Sequence, residues 1–210
     1  AKSLNLNASS FLSTLSFMPS IKYTKELVTP EPPTARASFN PCGMDIRTFS
    51  VSGSIRKTPD IVSSIQDMSA IDDDSFDAVY SSHNIEHIYS FDVLKTFNEI
   101  HRVLKNDGFL ILTCPDLKAI CSLIADGKIL DKLYDSPSGP IYPLDVIYGY
   151  QKSIFNGNEF MAHKNGFTVE TIVSFMESSN FRSYVAGEAV GSYSLWLIAY
   201  KNKAVSIDDL

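Results

Sequence analysis

The stretch SFDAVYSSHNIEHIYSFDVLKTFNEIHRVLKNDGFLILTCPD, residues 75–116, decides the fold. SFDAVYSS is a β-branched and aromatic run of strand length, and SFDVLKTFNEIHRVLKNDG places Leu94, Phe97, the flank of His101, and Leu104 at helical spacing. Asn106, Asp107 and Gly108 stop that helix after Arg102 and Lys105, two cations that suit the negative end of a helix dipole. FLILTC, residues 109–114, then reads as a fully buried strand closed by Pro115. Strand, helix and buried strand in succession predict an α/β domain with a doubly wound, mostly parallel sheet. Ligands of such sheets bind at the carboxyl ends of the strands.

Outward from this stretch the chain is less regular. Residues 1–40 read as an irregular N-terminal arm holding a first strand, KSLNLN at 2–7, and ending in the proline cluster TPEPPTA at 29–35, which excludes interior helix and central strand. GMDIRTF at 43–49 and PDIVSSI at 59–65 are short strand candidates. Downstream, LKAICSLIADGKILDKLY at 117–134 is an amphipathic helix region interrupted at Gly127, and the breaker-rich SPSGPIYP after it reads as a loop over something. Thr168 caps a helix over VETIVSFMESS, and two β-rich runs ending in SLWLIAY close the domain as an antiparallel hairpin. The expected organisation is an arm over 1–40, one domain over 41–203 and a tail over 204–210.

Composition bounds the function. A length of 210 residues suits one core, and a formal net charge of −6 argues against a nucleic-acid partner, since phosphate binding needs clustered Lys and Arg. Three cysteines without C-x-x-C spacing fit neither a disulfide framework nor a zinc knuckle, so a cytoplasmic location is expected. No apolar run reaches the roughly 20 residues needed to span a bilayer, so no membrane partner is expected. FLSTLSFM at 11–18, broken by serines, makes a poor signal peptide; a transit peptide is a minor alternative.

His83, Glu86 and His87 spell H-x-x-E-H, the zinc pattern of inverted metallopeptidases. That chemistry needs a helix, so that two imidazoles grip one ion, whereas His83 ends a strand here. A zinc hydrolase is therefore only the third expectation, and the leading one contains no metal. The Asp72, Asp73 and Asp74 run reads as a solvated turn, and Glu99 with Arg102 as an i,i+3 ion pair of the scaffold.

Residues 67–117, DMSAIDDDSFDAVYSSHNIEHIYSFDVLKTFNEIHRVLKNDGFLILTCPDL, resemble the second half of the class I S-adenosylmethionine-dependent methyltransferase domain. The likeness is dense over 59–117 and looser as far as HKNGFT and SLWLIAY. It implies a Rossmann-like, seven-stranded sheet with a C-terminal antiparallel hairpin, S-adenosyl-L-methionine as cofactor and methyl transfer to a small-molecule acceptor. Carried across by residue, Asp45, with Ile46 beside it, implies an acceptor for the ribose hydroxyls. Asp67 and Met68 imply contacts to the adenine, while Ser82, His83 and His87 imply the methionine end of the cofactor pocket. The family's glycine loop has no counterpart, since no glycine precedes Gly43; with KSLNLN as first strand, NASS at residues 7–10, opening with Asn7, stands in its place.

Outside the cofactor half, His163 is a candidate general base, because imidazole exchanges a proton near neutral pH; His83 and Asp116 are the other catalytic candidates. A packed loop histidine and a helix cap are the plainer alternatives for His163 and Asp116. Tyr148, Tyr150 and Gln151 are candidate substrate contacts, or loop anchors. The leading expectation is an enzyme methylating a small molecule or a sugar-containing metabolite. Its rival is a non-catalytic binding or scaffold protein that kept the fold and lost the cofactor loop. Neither the acceptor nor the oligomeric state is legible.

Overall fold

The computed structural model describes residues 4–7, 43–46, 61–190 and 192–204, with side chains described from Ser63 onward except at Val190. The expected proline-rich linker, residues 8–10 and nearly all of the tail lie outside the described residues. The chain order is β1 (Leu4–Asn7), β2 (Gly43–Ile46), β3 (Ile61–Ser64), β4 (Phe76–Ser82), α1 (Val93–Val103), β5 (Leu104–Pro115) and α2 (Leu117–Ala125). There follow β6 (Tyr134–Ser136), β7 (Gly139–Ile141), α3 (Pro143–Tyr148), α4 (Gln151–Phe155), α5 (Val169–Glu177), β8 (Ser183–Val190) and β9 (Ser194–Tyr200).

Five strands form the main sheet in the order β1-β8-β9-β5-β4. β4 runs parallel to β5 and β1 to β8, while β9 is antiparallel to both β5 and β8. Four strands thus point one way and β9 alone is reversed, which gives the mostly parallel α/β sheet with a terminal β8–β9 hairpin that the sequence predicts. Among the described residues five strands belong to this sheet, while β2 and β3 pair antiparallel with each other in a separate ladder. KSLNLN is a strand, but it lies against β8 at the edge opposite β4, with Asn7 facing Val190. Four short residues carry too little pattern to specify a partner, and pairing with the hairpin satisfies their backbone equally well.

The buried strand reading of FLILTC holds, since residues 108–116 are buried without a break. The turn after α1 is a bulge. Phe76 stands opposite Leu104 and Ala78 opposite Phe109, so residues 105–108 loop out of the ladder. A side chain at Gly108 would meet the Lys105 carbonyl at 2.8 Å. α1 packs through Val93, Thr96, Phe97, Ile100 and Val103, so its buried line is offset by one residue from Leu94 and His101. Phe97, Ile100, Leu110, Leu112, Phe167 and Ile172 form the centre of one continuous core between the sheet, α1 and α5.

Candidate functional site

β4 and β5 are parallel and in register at Ser82 and Thr113, so both carboxyl ends open on one edge of the sheet. At that edge His83 leaves β4 with φ 49°, while its amide still donates to the Thr113 carbonyl at 2.9 Å. A left-handed conformation costs a non-glycine residue about 1–2 kcal/mol and turns the chain sharply off the sheet. The next residues form a short helical turn, Ile85–His87, anchored by buried Ile85 and Ile88. That turn drives Glu86 inward, 1% exposed, and leaves His83 51% exposed above it with Nδ1 3.3 Å from Glu86 Oε1.

A second segment, MAHKNGFT at 161–168, comes back to the same edge. Lys164 and Asn165 donate their amides to the Glu86 carbonyl at 2.8 and 3.1 Å, and Leu117 donates to the Phe167 carbonyl at 2.9 Å. The segment is therefore tied both to the helical turn beyond β4 and to the start of α2 beyond β5. His163 donates its amide to the Tyr148 carbonyl, and its Nδ1 lies 2.8 Å from the Val146 carbonyl. His87 Nδ1 lies 3.2 Å from the Ala162 carbonyl, and the two imidazoles meet edge to face with centroids 4.8 Å apart.

Charge within the cluster follows this geometry. Burial favours the neutral form of both partners in the His83–Glu86 pair, yet their mutual attraction outweighs it, so His83 rises above the ordinary imidazole value and Glu86 falls below the usual carboxylate range. Burial holds His163 below the ordinary imidazole value, and this keeps it neutral near pH 7. Cys114, buried in β5, is pushed well up by burial and by the Glu86 charge, and is a thiol rather than a nucleophile.

The other expected site residues fall into different settings. Ser82 is exposed at the end of β4, beside the cluster. Asp67 is exposed, with Oδ1 accepting the Ser69 amide at 3.1 Å. Met68 is 1% exposed, with its side chain in the core. Asp116 caps α2, the plainer of its two readings, with its Oδ1 accepting the amides of Lys118 and Ala119. Asp45 and Ile46 lie on β2 opposite Val62 and Ile61. Asn7 sits on the far edge of the main sheet, so the structure does not bring it to this site.

Tyr150 donates its hydroxyl to the Ser138 carbonyl at 2.6 Å and so pins α4 to the β6–β7 turn, whereas Tyr148 is largely exposed next to His163. Gln151 Nε2 caps the Gly149 carbonyl at 2.9 Å. What sequence reasoning missed is the meeting of His163 with Glu86 and His87. The only available signal was the histidine count: three of the four histidines in the chain join this cluster.

Residues 35–112, which take in β2, β3, β4, α1 and most of β5, match the methyltransferase domain family. That stretch is methyltransferase-like. S-adenosylmethionine is the cofactor that this match indicates. No curated protein matches the chain. Among solved structures, the chain is similar to a Thermotoga maritima S-adenosylmethionine-dependent methyltransferase described as a possible histamine N-methyltransferase. Identity there is 17% over 66% of this chain and 62% of that one, with a TM-score of 0.42. It is also similar to a Methanosarcina mazei S-adenosylmethionine-dependent methyltransferase, at 18% identity over 66% and 65% with TM-score 0.41. A third likeness is to the Burkholderia thailandensis 1,6-didemethyltoxoflavin-N1-methyltransferase bound to its substrate and S-adenosylhomocysteine, at 14% identity over 68% and 50% with TM-score 0.41. The chain spans less than two thirds of each of these proteins.

The donor set at the strand ends fits the cofactor in two places. Asp67 offers an exposed carboxylate oxygen of the kind that accepts an exocyclic amine, and Ser82 and His83 offer polar groups at the carboxyl end of β4. Among the described residues, no helix is long and apolar enough to cross a membrane.

Proposed function

We propose that the protein is an S-adenosylmethionine-dependent methyltransferase acting on a small molecule or a sugar-containing metabolite in the cytoplasm. The observation that carries this is the family match over the residues that build β4 and its carboxyl end, where polar and titratable side chains gather. Asp67 would accept from the adenine amine, and Asp45, by resemblance, from the ribose hydroxyls. Bound there, S-adenosylmethionine supplies an activated methyl group on a sulfonium.

The chain's own contribution is positioning, which can supply most of the rate of a displacement. His83 is the imidazole that reaches solvent at this edge; with Nδ1 turned to Glu86, its Nε2 faces outward to take a proton from an acceptor hydroxyl or amine. His163 and the exposed Tyr148 form the facing wall, which an acceptor ring would contact. Cys121, an exposed free thiol, and Cys114, a buried one, accord with a reducing compartment.

The test is calorimetric titration of the purified protein with S-adenosylmethionine and S-adenosylhomocysteine. Micromolar binding is expected, and Asp45→Ala and Asp67→Ala should each weaken it by about tenfold, the loss of one charged hydrogen bond. No heat at two temperatures would overturn this function. It would favour the non-catalytic alternative.

A further inference from the structure

Glu86 is 1% exposed, with both carboxylate oxygens shut off from water; His83 Nδ1 lies 3.3 Å from Oε1, and Glu86's own backbone amide also turns toward the carboxylate. An ionised carboxylate held this far from water is costly unless its second oxygen is also matched by a cation or a donor. Two imidazoles face the same space. His87 and His163 each set Nδ1 against a backbone carbonyl, of Ala162 at 3.2 Å and of Val146 at 2.8 Å. A carbonyl only accepts, so in each neutral ring Nδ1 carries the hydrogen and Nε2 keeps its lone pair. Fixing the outer nitrogen on a carbonyl is how proteins orient a metal-binding histidine. The nearby ammonium of Lys164 does not fill the gap, because it lies 5.0 Å over the Tyr89 ring.

One ligand atom from each of Glu86, His87 and His163 lies within 4.8 Å of the others. Ligands about 2.0–2.2 Å from a tetrahedral ion stand about 3.3–3.6 Å apart, so shifts of about 1 Å close the set. The backbone is already braced, since the Glu86 carbonyl holds the amides of Lys164 and Asn165. We propose that Glu86, His87 and His163 bind one divalent transition-metal ion of the zinc class. Two imidazoles and one carboxylate suit such an ion better than magnesium or calcium, which prefer all-oxygen shells. The ligands differ from those read out of H-x-x-E-H: His83 stays outside, on Oε1, and its place is taken by His163, which arrives from far along the chain on the returning 161–168 segment. An ion held by these three protein ligands would keep a coordination position free, where an acceptor oxygen would bind and lose its proton more readily. That role rests on the methyl-transfer proposal, whereas ion binding does not.

The test uses the full chain stripped with a chelator and titrated with cobalt(II) and then zinc(II), without S-adenosylmethionine. One equivalent of cobalt should give the visible bands of a low-coordinate site, and one equivalent of zinc should abolish them. His163→Ala and Glu86→Gln should weaken binding by about 100-fold or more, and His83→Ala by about tenfold or less, with circular dichroism reporting the fold of each. Should Glu86→Gln not fold, His163→Gln, which keeps a polar side chain at a partly exposed position, decides the matter. Absence of cobalt bands in the native chain would overturn the proposal. So would binding that survives His163→Ala, or that is lost as fully in His83→Ala. Failure of cofactor binding in the calorimeter would leave these outcomes unchanged.

Discussion

Arg102 ties the chain between β3 and β4 to α1. Its Nε and one Nη hold Glu99 at 2.9 and 3.0 Å, while the guanidinium also donates to the carbonyls of Ile71 and Met68, each at 2.8 Å, and to Asp73. Glu99 in turn accepts the Met68 amide at 2.9 Å, so the pair fixes both sides of the segment that presents Asp67. The hydrogen bond from Arg102 holds the Glu99 carboxyl below its ordinary value of 4.5, against a smaller opposing effect of burial. A lowered carboxylate adds stability in full above about pH 4.5, and that stability is lost as pH falls through the folded value. Glu99→Gln is therefore expected to cost about 1–3 kcal/mol at pH 7 in urea unfolding, with the native and variant curves converging toward pH 3. A deficit that stays constant down to pH 3 would contradict the charge assignment. The i,i+3 pairing was legible from sequence; the carbonyls it holds, some 31–34 residues away, were not, because spacing reports only local neighbours.

At the level of elements, the 161–168 segment reaches the strand edge because α3 ends at a glycine. Gly149 has φ 90°, and a side chain there would collide with the Met161 carbonyl. This close pass sets the Tyr148 carbonyl where the His163 amide binds it. Gly157 also has a positive φ, 92°, but open space around it. Gly149→Ala is expected to cost about 3–5 kcal/mol and Gly157→Ala about 1–2 kcal/mol, the first from strain plus collision and the second from strain alone. Equal losses in denaturant unfolding would contradict the packing account. Sequence reading offered Tyr148, Tyr150 and Gln151 here as substrate contacts or loop anchors, but which glycine is pressed against backbone depends on how the chain doubles back between Gly149 and Met161. That His83 would leave a strand rather than lie on an α-helix was legible, since Ser81, Ser82 and Asn84 favour leaving a strand. That His163 would return to it was not.

In the molecule as a whole, the parts legible in sequence are those with strong, continuous pattern. β4, α1, β5 and the β8–β9 hairpin stand where apolar runs and stop signals put them, and together they create the strand edge that holds the cluster. β1 is the counterexample, for four alternating residues fix a strand but not its neighbour. The core side of Met68 was hidden for a related reason: a resemblance supplies a role for a position, while burial is settled by the packing of Ile65, Met68 and Ile71 beneath α1. The central claim is that this edge of the sheet is where the cofactor binds. Hydrogen exchange with and without S-adenosylhomocysteine tests it most directly. Slowed exchange over residues 64–70 and 81–88 is the result predicted; unchanged exchange in both segments, or slowing confined to the β6–β7 hairpin, would contradict it.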